Sequence, residues 1–378
     1  MTINKNSDLR RAFLYFFIYC PLGIICPLIG QYLSSIGFSG TQVGTITSLG
    51  TGTAILAGLF WGKIYANTSR KKILLAFMCL AAATLGVVST GTTIFIIYAV
   101  IYSGMYFFQG PIHGLSDAFV LDRSEHFSAI RATGAAGYAV AVFVAGRVAE
   151  STGLKSIFFM YAGAYVIAAC FFLREEEPTT FRTAEEKVKM SVLFKDRNFV
   201  KLLICAFFLM GTNVGNSTYF GYLFREQGGS VAGIGVAFLL MAGSEAPFMA
   251  LTPVLSRKFG AEKMLLFAMV MAVIRFGFYS TGPDYKVLLA TFFLQGMTNG
   301  IILVEIVKYF GRIVEPRLSS VSISVFYAIG NSLSVILCSF IGGIMLDMAG
   351  ACAVYRFFAI FNFVSVILYI ALGMHRRR

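Results

Sequence analysis

Charge is what this chain has least of. Only 13% of its 378 residues are Asp, Glu, Lys or Arg, against roughly 25% in a soluble domain. Acidic residues are the scarcer sign, with 18 Asp and Glu facing 31 Lys and Arg. There are three His and one Trp, Trp61. The seven cysteines (Cys20, Cys26, Cys79, Cys170, Cys205, Cys338 and Cys352) are scattered, form no CxxC, and have no His at ligand spacing. That pattern excludes a zinc or iron–sulfur centre and reads as reduced packing residues. No phosphate-binding GxxxxGK[ST] run occurs, so nothing points to ATP drive. HExxH and Ser/His/Asp arrangements are missing too. The chain therefore reads as a non-enzyme with no metal and no cofactor.

What is present is apolar length. Hydrophobic residues make up 57% of the chain, including 38 Phe, and they gather into twelve runs. These lie near 12–34, 42–62, 73–91, 93–117, 130–149, 155–173, 198–224, 231–253, 263–281, 286–309, 319–346 and 353–374. Each approaches the ~20 residues needed to cross a bilayer as a helix. The runs are continuously apolar rather than alternating, which excludes a β-barrel. The fold class expected is an all-α membrane protein with twelve transmembrane helices. The first run is too long for the apolar core of a signal peptide and reads as a span.

Basic residues set the orientation. Lys5, Arg10 and Arg11, the turns at Lys63–Lys72 and Arg257–Lys263, the stretch Arg174–Lys201, and Arg376–Arg378 all fall on one side if both termini are cytoplasmic. Only Arg147, Lys155, Arg225, Lys286 and Arg356 fall outside. This asymmetry places both termini in the cytoplasm of a cell (inner or plasma) membrane. It also accounts for the net charge of +13 without a nucleic-acid surface.

The single long charged loop follows span six. It divides the chain into an N-terminal six-helix bundle (1–174), a solvated cytoplasmic linker (175–197) and a C-terminal six-helix bundle (198–378). Both halves carry a tight basic turn after their second span, around Arg70 and Lys71 in one and Arg257 and Lys258 in the other. These turns are candidate cytoplasmic gates. Six-helix halves related by repeat are the plan of major facilitator transporters.

A few polar residues interrupt the spans. An intramembrane charge costs about 2.5–3.5 kcal/mol on insertion scales, so it marks a substrate or ion pathway. Asp117 ends span four and Arg131 begins span five. Gln109, His113 and Asp117 fall at i, i+4 and i+8, on one helix face. Asn213 and Asn216 share a face of span seven, with Tyr219 and Tyr222 nearby. Glu245 and Arg275 both come out near mid-membrane by a rise of about 1.5 Å per residue, and an ion pair between them is the economical expectation. Glu305 and Lys308, near the inner interface, read as structural.

Leu115-Ser116-Asp117-Ala118-Phe119, followed by Arg131-Ala132-Thr133-Gly134-Ala135-Ala136-Gly137-Tyr138, resembles the lactose-permease-like branch of the major facilitator superfamily. That branch includes sugar, phenylpropionate and nucleoside permeases. The resemblance implies that Asp117, Arg131 and Tyr138 bind substrate, and that Arg275 and Glu245 serve coupling. It also shows departures. Gln295 and Thr298 stand where the lactose permease has a His and a Glu, Asn213 and Asn216 where it has Asp, and Asn331 where it has Lys. Proton coupling would then fall to Glu245 or Asp117.

The function expected is secondary transport of a small polar organic solute, with proton symport of a sugar or oligosaccharide through rocking of the two bundles. Substrate contacts are expected at Asp117, Arg131, Tyr138, His113, Gln109, Asn213 and Asn216, and proton coupling at Glu245 and Arg275. Alternatives are a permease for an aromatic carboxylate or a nucleoside, an efflux antiporter, and a non-transporting membrane sensor. Partners expected are the solute, a proton and the lipid bilayer. The chain is expected to act as a monomer.

Overall fold

The computed structural model describes residues 5–121, 124–177, 190–315 and 318–375. Helix follows from composition, since in lipid each backbone N–H and C=O must be satisfied within its own segment. The α-helices are α1 (Lys5–Ile25), α2 (Ile29–Ser35), α3 (Gly40–Asn67), α4 (Lys71–Ser89), α5 (Phe95–Val120), α6 (Phe127–Thr152) and α7 (Ser156–Arg174). They continue as α8 (Arg197–Glu226), α9 (Val231–Phe259), α10 (Ala261–Tyr279), α11 (Tyr285–Thr291), α12 (Phe293–Ile313), α13 (Ser319–Val325) and α14 (Ser334–Ala371). A π-helical stretch, Phe326–Leu333, joins α13 to α14.

Twelve spans emerge from these helices. Nine segments among the described residues are long and apolar enough to cross a bilayer. A tenth is α1 with α2, bent by 41° around Pro27, which cannot donate to a continuing helix. Another arises because Val321–Ala371, 51 residues, is far longer than one crossing. It breaks at Ala349 and at Gly350, whose φ is 74°. The last is α10, whose Glu262, Lys263 and Arg275 interrupt an otherwise apolar 19-residue helix. Side chains such as Leu59 and Ile96, each 71% exposed, face outward as they would toward lipid. This is a multi-pass membrane protein.

The helices cluster into two compact units. The first takes the described residues of Met1–Phe38, Leu49–Glu185 and Val231–Leu239, and the second those of Ser39–Ser48, Glu186–Ser230 and Leu240–Arg378. In the first unit α1 packs on α6 and α7, and α4 on α5 and α7. In the second α8 packs on α14 and the π stretch, and α10 on α12 and α14. Counted as spans, the same pairings recur six spans later. Close approach comes from glycine: a Cβ at Gly137 would collide with the backbone of Phe16, and one at Gly23 with that of Tyr138. Small residues that let backbones meet are the usual means of packing spans in lipid.

The start of the charged loop departs from the solvated tether expected. Glu175 is buried; it accepts from Arg10 Nε at 2.5 Å and Arg11 Nε at 3.4 Å. Lys72 donates from Nζ to the Glu175 carbonyl at 3.0 Å, and from its backbone N–H to Glu177 at 3.3 Å. A buried carboxylate must be paired, and the basic ends of α1 and α4 supply the pairs. The rest of that loop, to Lys189, lies outside the described residues.

Candidate functional site

In the first unit, Asp117 in the last turn of α5 meets Arg131 in the second turn of α6. Arg131 Nε lies 3.2 Å from Oδ2 and 3.4 Å from Oδ1. Tyr15 of α1 donates to Asp117 Oδ1 at 2.9 Å. The Arg131 and Asp117 side chains remain 52% and 28% exposed, so the pair is reachable rather than sealed.

The stripe above Asp117 divides in role. His113 packs edge-on against Tyr19, ring centroids 4.6 Å apart, and its buried Nε2 has no partner. Gln109 is buried and accepts from Tyr161 at 2.7 Å. Tyr138 sits two turns after Arg131 on α6, half-buried. Tyr15, Tyr19 and Tyr161 were not singled out from sequence. Their signal was available: phenols in otherwise apolar helices, with Tyr15 and Tyr19 at helical spacing.

In the second unit, Arg275 is 2% exposed. Its Nη2 donates to Asn213 Oδ1 at 3.4 Å, its guanidinium lies 4.3 Å from the Phe276 ring centroid, and its Nε and Nη1 have no partner. The expected ion pair with Glu245 does not form. Glu245 faces the Asn299 amide of α12 instead, and no ion pair joins Glu245 to Arg275 among the described residues. Similar depth along two helices fixes height, not the direction each side chain faces, and the amides of α12 stand between them. Gln295 Nε2 donates to Asn299 Oδ1 at 3.2 Å and to the Asn213 carbonyl at 3.4 Å. Asn216 accepts from Tyr355 at 2.7 Å while its Nδ2 is unpartnered. Gln295, Asn299 and Tyr355 thus join the residues expected here.

The basic turns differ from each other. Lys71 lies 4.9 Å from the centre of the Tyr65 ring, and Arg70 precedes α4 with its N–H on Thr68. Lys258 lies over Phe259. Arg257 lines a cavity of about 260 Å³ with Glu262, Glu305, Lys308 and Arg312. There Arg312 pairs with Glu262 at 3.3 Å, and Glu305 accepts from Ser256 at 2.8 Å.

Twelve apolar spans, repeated pairing in two units, and charged or amide side chains held inside the spans define a polytopic transport-type membrane fold. The MFS_1 like family model matches residues 9–357, and the chain belongs to that family. It is 32% identical over 373 residues to the maltose permease of Geobacillus stearothermophilus, covering 96% of this chain and 94% of that protein. It is 25% identical to the sucrose permease of Escherichia coli, covering 88% and 85%. The crystal structure of the nucleoside transporter NupG superposes with a TM-score of 0.83 at 17% identity, covering 99% of this chain and 100% of that one.

Proposed function

We propose that this protein is a secondary active transporter that carries a sugar of disaccharide size, together with a proton, by alternating access. The observation that carries the reading is the set of buried polar atoms left unspent in the second unit: Arg275 Nε and Nη1, Asn216 Nδ2 and Gln295 Oε1. Buried polar groups without partners cost free energy. A ligand rich in hydroxyls, each both donor and acceptor, satisfies donors and acceptors alike. Asn213 and Asn216 make these contacts in the second unit. In the first, Arg131, Asp117, His113 and Gln109 hydrogen-bond the solute, and Tyr138 packs on its ring. The maltose and sucrose permeases among the relatives support the sugar class.

Glu245 takes the proton. The partners of Asp117 (a guanidinium and a phenol) are donors that serve its ionised form. The partner of Glu245 is an amide, which can donate to a carboxylate or accept from a carboxylic acid. Arg70, Lys71, Arg257 and Lys258 act at the cytoplasmic ends as gate turns.

Uptake of radiolabelled maltose into proteoliposomes, challenged with sucrose, uridine and phenylpropionate, tests the substrate class. Competition by sucrose and loss of uptake in Arg131→Ala are the expected results. Inhibition by uridine or the aromatic acid, but not by sucrose, would reject the sugar.

A further inference from the structure

The contacts between Glu245 and Arg275 form a ladder with a direction. Gln295 spends its NH2 on Asn299 Oδ1 and on the Asn213 carbonyl, so its own Oε1 is buried without a partner. With its oxygen occupied by Gln295, Asn299 has its NH2 to give to Glu245. That is the arrangement an ionised carboxylate requires, because a carboxylate only accepts. Glycines hold the two helices at this contact. A Cβ at Gly296 would strike the Met241 carbonyl, Ser244 Oγ and the Glu245 N–H, and one at Gly300 would sit 2.9 Å from the Glu245 carbonyl. Asn299 lies between those glycines, so α12 is pressed against α9 where Glu245 sits.

Resting on the transport role proposed above, we infer that Asn299 and Gln295 are positioning residues that convert the protonation of Glu245 into a change of hydrogen-bond character at the substrate-contacting end of Gln295. A proton taken from water onto a Glu245 oxygen turns that oxygen into a donor. Asn299 meets it by turning its amide, Oδ1 toward Glu245 and NH2 toward Gln295. Gln295 then accepts with Oε1, and its NH2 is released. Where the ionised state offers the solute an acceptor, the protonated state offers a donor. Only hydrogen bonds break and form, and the proton stays on Glu245.

The charged groups around the ladder do not compete for this role. Among the described residues Glu245 makes no ion pair, and the side chain beside it is the neutral amide of Asn299. Arg275 of α10 stands at the far end of the ladder, held to Asn213 of α8. Glu305 lies ten residues further along α12 and is engaged by Ser256 and Lys308.

Two measurements on the full chain in nanodiscs test the relay. The first needs no solute: side-chain amide resonances of ¹⁵N-glutamine-labelled protein, with Gln295 assigned by its loss in Gln295→Leu. The Gln295 signal should move through an acid-to-alkaline titration, and should stay still in Glu245→Gln and in Asn299→Leu. Asn299→Gln, which keeps an amide, should restore part of the movement. A signal that does not move in the wild-type protein, or still moves in Asn299→Leu, would overturn the relay. The second compares maltose with monofluorinated maltoses, since fluorine accepts but does not donate. At one ring position the preference for hydroxyl over fluorine should be about fivefold greater on the alkaline side, the effect of one hydrogen bond. It should not vary with pH in Asn299→Leu. An equal preference at all pH values in wild type would contradict the relay. Absence of proton movement during uptake would instead remove symport, and the amide titration would still decide the relay.

Discussion

At the residue scale, the second unit differs from the first in how it treats charge. Asp117 and Arg131 neutralise each other at hydrogen-bonding distance, and the pair stays open to solvent. Arg275 is sealed away with two nitrogens unspent, and a buried cation with unpaired donors is costly. Tyr15 completes the shell of Asp117. Tyr15→Phe should weaken maltose binding about fivefold, the worth of a single hydrogen bond, with the protein still folded and monodisperse. Equilibrium binding by calorimetry checks this, and an unchanged affinity would show that Tyr15 does not orient the carboxylate.

Individual helices carry a second kind of claim, about how their ends are held. The first turn of α3 is capped by Asp347 of α14, which accepts from the Gly40 N–H at 2.6 Å, the Thr41 N–H at 2.7 Å and the Thr41 hydroxyl at 2.6 Å. Glu150 of α6 likewise accepts from the Ala232 N–H, at the start of α9, at 3.1 Å. Free N–H groups and the helix dipole both favour a carboxylate there. Asp347→Ala should destabilise the start of α3 by about 1 kcal/mol, typical of a lost cap. Hydrogen exchange should then quicken at residues 40–44 and remain unchanged in α4. Equal protection in the variant would show that the cap contributes nothing.

The Asp347 cap was not legible in the sequence, because Asp347 and Thr41 are hundreds of positions apart; only its local complement was, the Ser39-x-x-Gln42 box whose ends exchange hydrogen bonds at 3.0 and 3.2 Å. The spans were legible, because twenty apolar residues in a row have few other uses. The bend after Pro27 and the break at Gly350 carried their usual residues. The helix split at Phe292 and the π stretch around Asn331 had no proline at the break to announce them. In the candidate site, Asp117 and Arg131 were readable as a pair because a short loop brings their helices together. Arg275 was readable as an intramembrane cation, but its partner was not. The direction a side chain faces depends on which helices pack beside it.

On the scale of the whole molecule, two units with the same internal pairing fit a chain built as a repeated half. The family membership makes transport the coarse function, and the finer one is proposed from the retained and missing charges. Four positions that carry an ionisable residue in the lactose-permease-like pattern are amides here: Asn213, Asn216, Gln295 and Asn331. In the proposed function they leave Glu245, which has no ion-pair partner among the described residues, as the carboxylate that exchanges the proton. The measurement that tests this most directly is maltose-driven proton movement in proteoliposomes, with wild type and Glu245→Gln side by side. The account predicts that maltose entry makes the outside medium more alkaline, and that the variant abolishes this signal. Maltose entry with no pH change in the wild-type protein, or an undiminished signal in Glu245→Gln, would contradict it.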